Sequence, residues 1–176
     1  MANQIESLPD TLKDCKFLET LRVSYRHFSS LLDTYMENLI HKGQIKSEHI
    51  PLVVFELQKL KSIDLQHTKI NTLPDNNLKS IENMYLDHNY IMNFTERVFN
   101  SMIGNLKILT LSRNLLVEIP SEINSLINLE ILNLSHNAIT NITNITRLVN
   151  LKEFYLNNNK ITVRINNFTK EKKKRR

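Results

Sequence analysis

Apolar residues recur along this chain in two rhythms. Over short stretches they alternate with other side chains: in "LEILNLSHN" (129–137), Leu132 and Leu134 alternate with Ile131, Asn133 and Ser135. That is the period of a half-buried strand. Over longer stretches the phrase itself returns. The template L-x-x-L-x-L-x-x-N-x-L fits six times, starting at 18, 60, 81, 106, 129 and 151, with spacings of 42, 21, 25, 23 and 22. Leu18-Leu21-Val23 leads to Arg26 and Phe28, and Leu60-Ile63-Leu65 to Thr68 and Ile70. Ile81-Met84-Leu86 leads to Asn89 and Ile91, and Leu106-Leu109-Leu111 to Asn114 and Leu116. Leu129-Leu132-Leu134 leads to Asn137 and Ile139, and Leu151-Phe154-Leu156 to Asn159 and Ile161.

One such strand cannot bury its apolar face alone, so the copies are predicted to stack into a parallel sheet over a shared core. Each strand must then end in a turn, which removes backbone N–H and C=O groups from the ladder while keeping them buried. An asparagine amide offers a donor side and an acceptor side, so it can satisfy both. Asn89, Asn114, Asn137 and Asn159 are therefore expected to point inward as a hydrogen-bonded column. Arg26 and Thr68 replace the asparagine in the first two copies; arginine cannot accept, so the turn near 26 is expected to be looser.

The return segments are less regular. Leu8-Pro9, Ile50-Pro51, Leu73-Pro74 and Ile119-Pro120 mark their starts, where proline suits a turn or a first helical position. Thr95 is placed to cap a short helix burying Val98, Phe99 and Met102. The gap of 42 equals two periods of 21, yet "SSLLDTYMENLIHKG" (29–43) reads as a helix bounded by Ser29 or Ser30 and Gly43. Residues 29–50 are thus a degenerate repeat or a helical insertion, and a lost strand there would bend or split the sheet. Val163, Ile165 and Phe168 are candidates to cover the far end of the core.

The template resembles the leucine-rich repeat, whose period is about 20–29 residues. Four copies keep every landmark, and segments such as "EIPSEINSLINLEIL" (118–132) resemble the short, intracellular, Ras-suppressor type. The resemblance implies an α/β solenoid of about six to seven repeats over residues 1–169, with a curved parallel sheet on the concave side and short helices or turns on the convex side. It also implies a non-enzymatic scaffold or regulatory subunit, of the kind that serves phosphatases, small GTPases or cytoskeletal complexes.

Charge changes this picture only at one end. The chain has 23 basic and 18 acidic residues, but "KEKKKRR" (170–176) holds six basic and one acidic, so the remaining 169 carry 17 of each sign. The basic balance belongs to a tail expected to be disordered, and the body is not built as a nucleic-acid surface. A nuclear or nucleic-acid-associated role is the alternative, and it would work through the tail. One cysteine, Cys15, permits no disulfide within the chain, and it is expected in the core. The opening residues show no secretory pattern and no apolar run approaches a membrane span, so an intracellular location, cytoplasmic or nuclear, is expected. Five Asn-x-Ser/Thr sequons, at Asn93, Asn133, Asn141, Asn144 and Asn167, are read as products of an asparagine-rich composition.

No catalytic constellation or cofactor motif is visible: the two glycines, Gly43 and Gly104, form no phosphate loop. His67, His88 and His136 share one template position, and His67 and His88 would stand about 4.8 Å apart on adjacent strands. Two imidazoles at that distance suit a metal, but with only Asp64 or Asp87 as a third ligand no tetrahedral set emerges. The working surface is expected on the concave face, from residues turned away from the core: Arg22, Tyr25, Asp64, His67, Tyr85, Asp87, His88, Arg113, His136, Glu153 and Tyr155. Tyrosine and arginine dominate protein interfaces, and the charges nearly cancel, so the face suits a protein partner.

Overall fold

The computed structural model describes residues 15, 17–22, 52–95, 97–142 and 145–162. Six strands form one sheet in chain order: β1 (Thr20–Arg22), β2 (Ser62–Asp64), β3 (Asn83–Tyr85), β4 (Ile108–Thr110), β5 (Ile131–Asn133) and β6 (Glu153–Tyr155). Every neighbouring pair is parallel, and Leu21, Ile63, Met84, Leu109, Leu132 and Phe154 stand in register. Alternation along an extended chain then puts the residues on either side of each landmark onto the opposite face. In β2 to β5 the middle residue is buried and both neighbours are half-buried. In β1 and β6, each bonded to one strand among the described residues, the middle residue is itself half-buried.

The core is the stack of repeated landmarks. Leu60, Ile63, Leu65 and Ile70 lie over Ile81, Met84, Leu86 and Ile91, then Leu106, Leu109, Leu111 and Leu116, then Leu129, Leu132, Leu134 and Ile139, all buried. Pairing continues past the three-residue strands. The Leu65 and His67 amides donate to Tyr85 and Asp87, and equivalent bonds run up to His136 N–H on the Asn157 carbonyl at 2.8 Å.

The 42-residue spacing does not interrupt this sheet. β1 pairs directly with β2, Thr20 opposite Ser62, and the Lys61 and Ser62 amides both reach the Glu19 carbonyl, at 2.8 and 2.9 Å. The expected bend or split is therefore corrected. Ladder bonds join strand to strand, and doubling the length of a connecting segment costs only about 0.6 kcal/mol. The helix expected within 29–50, the covering residues Val163, Ile165 and Phe168, and the tail 170–176 lie outside the described residues.

Two further expectations are corrected. Residues 97–105 turn without forming an α-helix, and the Thr95 hydroxyl donates to Asp75 Oδ1 of the neighbouring repeat at 3.2 Å instead of capping. Val98, Phe99 and Met102 are nonetheless buried, because packing against the stack needs only their spacing. Cys15 is exposed, not core: it stands in the turn before β1, where the Leu18 amide donates to its carbonyl at 3.1 Å. Among the described residues the convex side holds two short 3₁₀ helices, Leu52–Glu56 and Ser121–Ser125, the second entered from Pro120 at φ −58°. A second asparagine row ties that side together: Asn105, Asn128 and Asn150 donate to the carbonyls of Lys79, Gly104 and Ile127, at 2.6, 2.9 and 3.0 Å.

Candidate protein-binding face

Each strand delivers its third- and fifth-position side chains to the face opposite the core, and the turn adds the seventh and eighth. The third-position column runs Thr20, Ser62, Asn83, Ile108, Ile131, Glu153 across the register. The fifth runs Arg22, Asp64, Tyr85, Thr110, Asn133, Tyr155. The sheet thus gathers Arg22, Asp64, Tyr85, Glu153 and Tyr155 on one surface, with the adjacent isoleucines Ile108 and Ile131 between them. Tyr25 lies outside the described residues.

The carboxylates on this face are already engaged. Asp64 pairs with Arg22 Nε at 2.8 Å and accepts from the Gln66 amide. Asp87 accepts from the Thr110 hydroxyl and, at 2.6 Å, from the Ser112 amide. Burial pushes the Asp87 carboxyl above the usual carboxylate range, partly offset by those two donors. At the far edge the Tyr155 hydroxyl donates to Glu153 at 2.7 Å, and that carboxylate raises the phenol above its ordinary value.

The strand exits share one backbone geometry. His67, His88, Arg113, His136 and Asn158 have φ between 55° and 58°, the left-handed region. Histidine and asparagine tolerate that region better than most side chains, whereas β-branched residues are outliers there. This is a structural reason for the histidines that ligation does not supply. The His67 and His88 rings stack with centroids 4.0 Å apart, and Asn158 Nδ2 lies 2.9 Å from His136 Nε2. No three His, Cys, Asp or Glu side chains among the described residues converge as a metal site. The recurring choice of H, H, R, H and N one residue before the turn position was the sequence signal for this geometry.

Behind the exits, the turn asparagines bridge successive repeats. Asn114 Oδ1 accepts from the Ile91 amide at 3.0 Å while its nitrogen donates to Leu86 and Leu111 carbonyls, both at 3.0 Å. Asn137 does the same for Leu116, Leu111 and Leu134, and Asn159 for Ile139, Leu134 and Leu156. Asn89 accepts from two amides, Thr68 and Ile70. Thr68 reproduces only the donor half, giving its hydroxyl to Leu65 at 2.7 Å.

The strand starts carry a feature that repeat alignment alone passes over. The second template position reads Glu19, Lys61, Glu82, Lys107, Glu130, Lys152, a strict alternation of sign. Ion pairs close at 2.7, 2.7 and 2.6 Å between Glu19 and Lys61, Glu82 and Lys107, and Glu130 and Lys152. The hydrogen bond and charge of Glu19 raise the Lys61 pKa, and Lys107 likewise lowers that of Glu82.

A leucine-rich repeat family model matches residues 79–139 and 104–161, which cover β3 to β6. The fold is a leucine-rich repeat solenoid. Rat (Rattus norvegicus) lumican is 28% identical over 163 residues, 92% of this chain and 47% of lumican. The chain thus spans about half the length of that relative. Among solved structures, a Leptospira interrogans LRR protein aligns over 90% of this chain and 47% of its own, with a TM-score of 0.55 at 20% identity. The protein in a TLR13–ssRNA13 complex aligns over 78% of this chain and 18% of its own, with a TM-score of 0.55 at 25% identity. No helix among the described residues of the solenoid is long and apolar enough to cross a membrane.

Proposed function

We propose that this leucine-rich repeat solenoid is a non-enzymatic module, a scaffold or regulatory subunit, that binds a protein partner through its concave sheet. One observation carries the reading: six registered strands hold Tyr85, Tyr155 and the Ile108–Ile131 pair on a single uninterrupted surface. Aromatic and apolar groups on a rigid platform, rimmed by polar ones, are the anatomy of a protein interface. The test is affinity capture with the intact chain beside one carrying Tyr85→Ala, Arg113→Ala and Tyr155→Ala. A partner retained by the intact chain and lost by the variant places binding on the sheet. A partner lost only when 170–176 are deleted moves function to the basic tail and its nuclear or nucleic-acid alternative.

We further infer the short intracellular repeat type and a location inside the cell. A lone exposed Cys15, which can close no disulfide within the chain, supports this reading. Cell fractionation that recovers the endogenous chain from the medium instead of the cell would overturn it.

A further inference from the structure

We propose that the rim at the strand starts is a self-complementary surface through which two molecules of this chain associate edge to edge, their charge rows antiparallel. The contact goes beyond the protein-binding reading above: it uses a different edge of the sheet and leaves the concave face free.

The rim consists of Glu19, Lys61, Glu82, Lys107, Glu130 and Lys152. Backbone bonds fix its spacing. From Lys61 to Lys152, each amide of the row donates to the carbonyl of the row residue before it, at 2.8 Å in all five cases. Neighbouring strands lie about 4.8 Å apart, so the charges stand on a ruler about 24 Å long. The pairs within the chain do not use these groups up. Glu19 engages its lysine through Oε1, and Glu82 and Glu130 engage theirs through Oε2. A carboxylate has two accepting oxygens and an ammonium three donors, so both kinds keep capacity for a second partner. All six side chains leave between 37% and 69% of their surface exposed.

Symmetry then selects the occupant. A partner of one sign would meet as many like charges as opposite ones. A row alternating at the same spacing is required, and this row read backwards is one. A two-fold axis between Glu82 and Lys107, perpendicular to the row, sets Glu19 of one molecule opposite Lys152 of the other. It likewise sets Lys61 opposite Glu130, and Glu82 opposite Lys107. Each of these three contacts occurs twice, which makes six contacts of opposite sign. A slip of one repeat turns every contact into a like-charge one, so the charges also fix the register. Exposed pairs are individually weak and screened by salt, so the dimer is weak and dissociates as salt rises.

The experiment is sedimentation velocity of the full chain at about 0.3 mM, a concentration suited to a weak contact. In about 0.02 M salt, where the screening length is about 20 Å, the intact chain dimerises, and in about 0.5 M salt it is monomeric. Exchanging the end pair, Glu130→Lys with Lys152→Glu, keeps that pair within the chain. It sets acid against acid at Glu19 and base against base at Lys61, each twice, so four of the six contacts become repulsive. Dimerisation then weakens by about tenfold or more. Exchanging the middle pair, Glu82→Lys with Lys107→Glu, sets more like charges side by side within the chain yet preserves all six contacts. Its dimerisation stays within about threefold of the intact chain. Both exchanges leave the net charge unchanged, so the basic tail cannot account for a difference between them. Circular dichroism confirms that each variant is folded. Glu19→Lys with Lys61→Glu replaces an end-pair exchange that does not fold, and exchange of all three pairs replaces such a middle-pair exchange. An intact chain that stays monomeric in low salt overturns the proposal. So does an end-pair exchange that dimerises as the intact chain does, or a contact-preserving exchange that does not dimerise.

Discussion

Asn89→Ala puts the turn chemistry to a quantitative test. The Asn89 nitrogen donates to the Leu65 and Leu86 carbonyls at 2.8 and 2.9 Å. Neither is stranded by its loss: Leu65 keeps the Thr68 hydroxyl at 2.7 Å and Leu86 keeps Asn114 at 3.0 Å. The acceptor side has no such reserve. The Thr68 and Ile70 amides donate to Asn89 Oδ1 at 3.0 and 3.2 Å, in a turn where Asn89 is 3% exposed and Ile70 buried. Two buried donors left unmet cost about 1–3 kcal/mol each, so the variant should lose about 2–6 kcal/mol. Asn159→Ala strands one donor, the Ile139 amide, beside a half-buried asparagine that water can replace, and should lose about 1 kcal/mol. Urea unfolding followed by circular dichroism measures both. Equal losses at the two positions, or a loss below about 1 kcal/mol for Asn89→Ala, would refute the claim that stranded amides set the cost.

Three more outcomes follow from particular groups. Burial raises the Asp87 pKa, so the folded chain holds that proton more tightly than the unfolded one. The stability it contributes is complete below the unfolded value of about 3.9 and is lost as pH rises through the folded value. Asp87→Asn should therefore raise the urea midpoint at pH 7 and lose that advantage at pH 3; an advantage unchanged at pH 3 contradicts the assignment. His88→Val should melt lower than His88→Asn, because a β-branched residue at φ 58° adds strain of about 1–2 kcal/mol. Coincident melts would remove the left-handed constraint. Exchanging a pair, Glu130→Lys with Lys152→Glu, keeps that pair but sets a lysine beside Lys107. The melting temperature should fall at low salt and recover near about 0.5 M salt, whereas an unchanged low-salt melt would make the pairs independent.

The sheet was legible because its rule is local and repeated. Once Leu132 and Leu134 are placed inward, Asn133 must face the other way, and the same step orders five neighbours. The asparagines were legible for a similar reason, since a buried turn needs a side chain that can both give and take. What was not legible depends on geometry between copies. The left-handed φ at His67, His88 and His136 looks in sequence like a possible ligand set, and only the backbone explains it. Asn128 reads as an ordinary polar residue until the Gly104 carbonyl is found 2.9 Å from it. Thr95 satisfies the capping rule, but residues 97–105 form turns and no helix follows for it to cap; its hydroxyl donates to Asp75 of the adjacent repeat. The 42-residue spacing misled because a period was assumed to continue, although no backbone bond requires it to.

The alternating row at the strand starts works as a parity code. A strand that skipped its rightful neighbour and paired with the next would set Glu19 beside Glu82, or Lys61 beside Lys107. Odd and even copies are thereby told apart although their apolar landmarks are interchangeable. Glu19 meets a lysine only at Lys61 or at another even-numbered copy, so the row adds an electrostatic preference, small for exposed pairs, to the apolar landmarks that seat β1 beside β2.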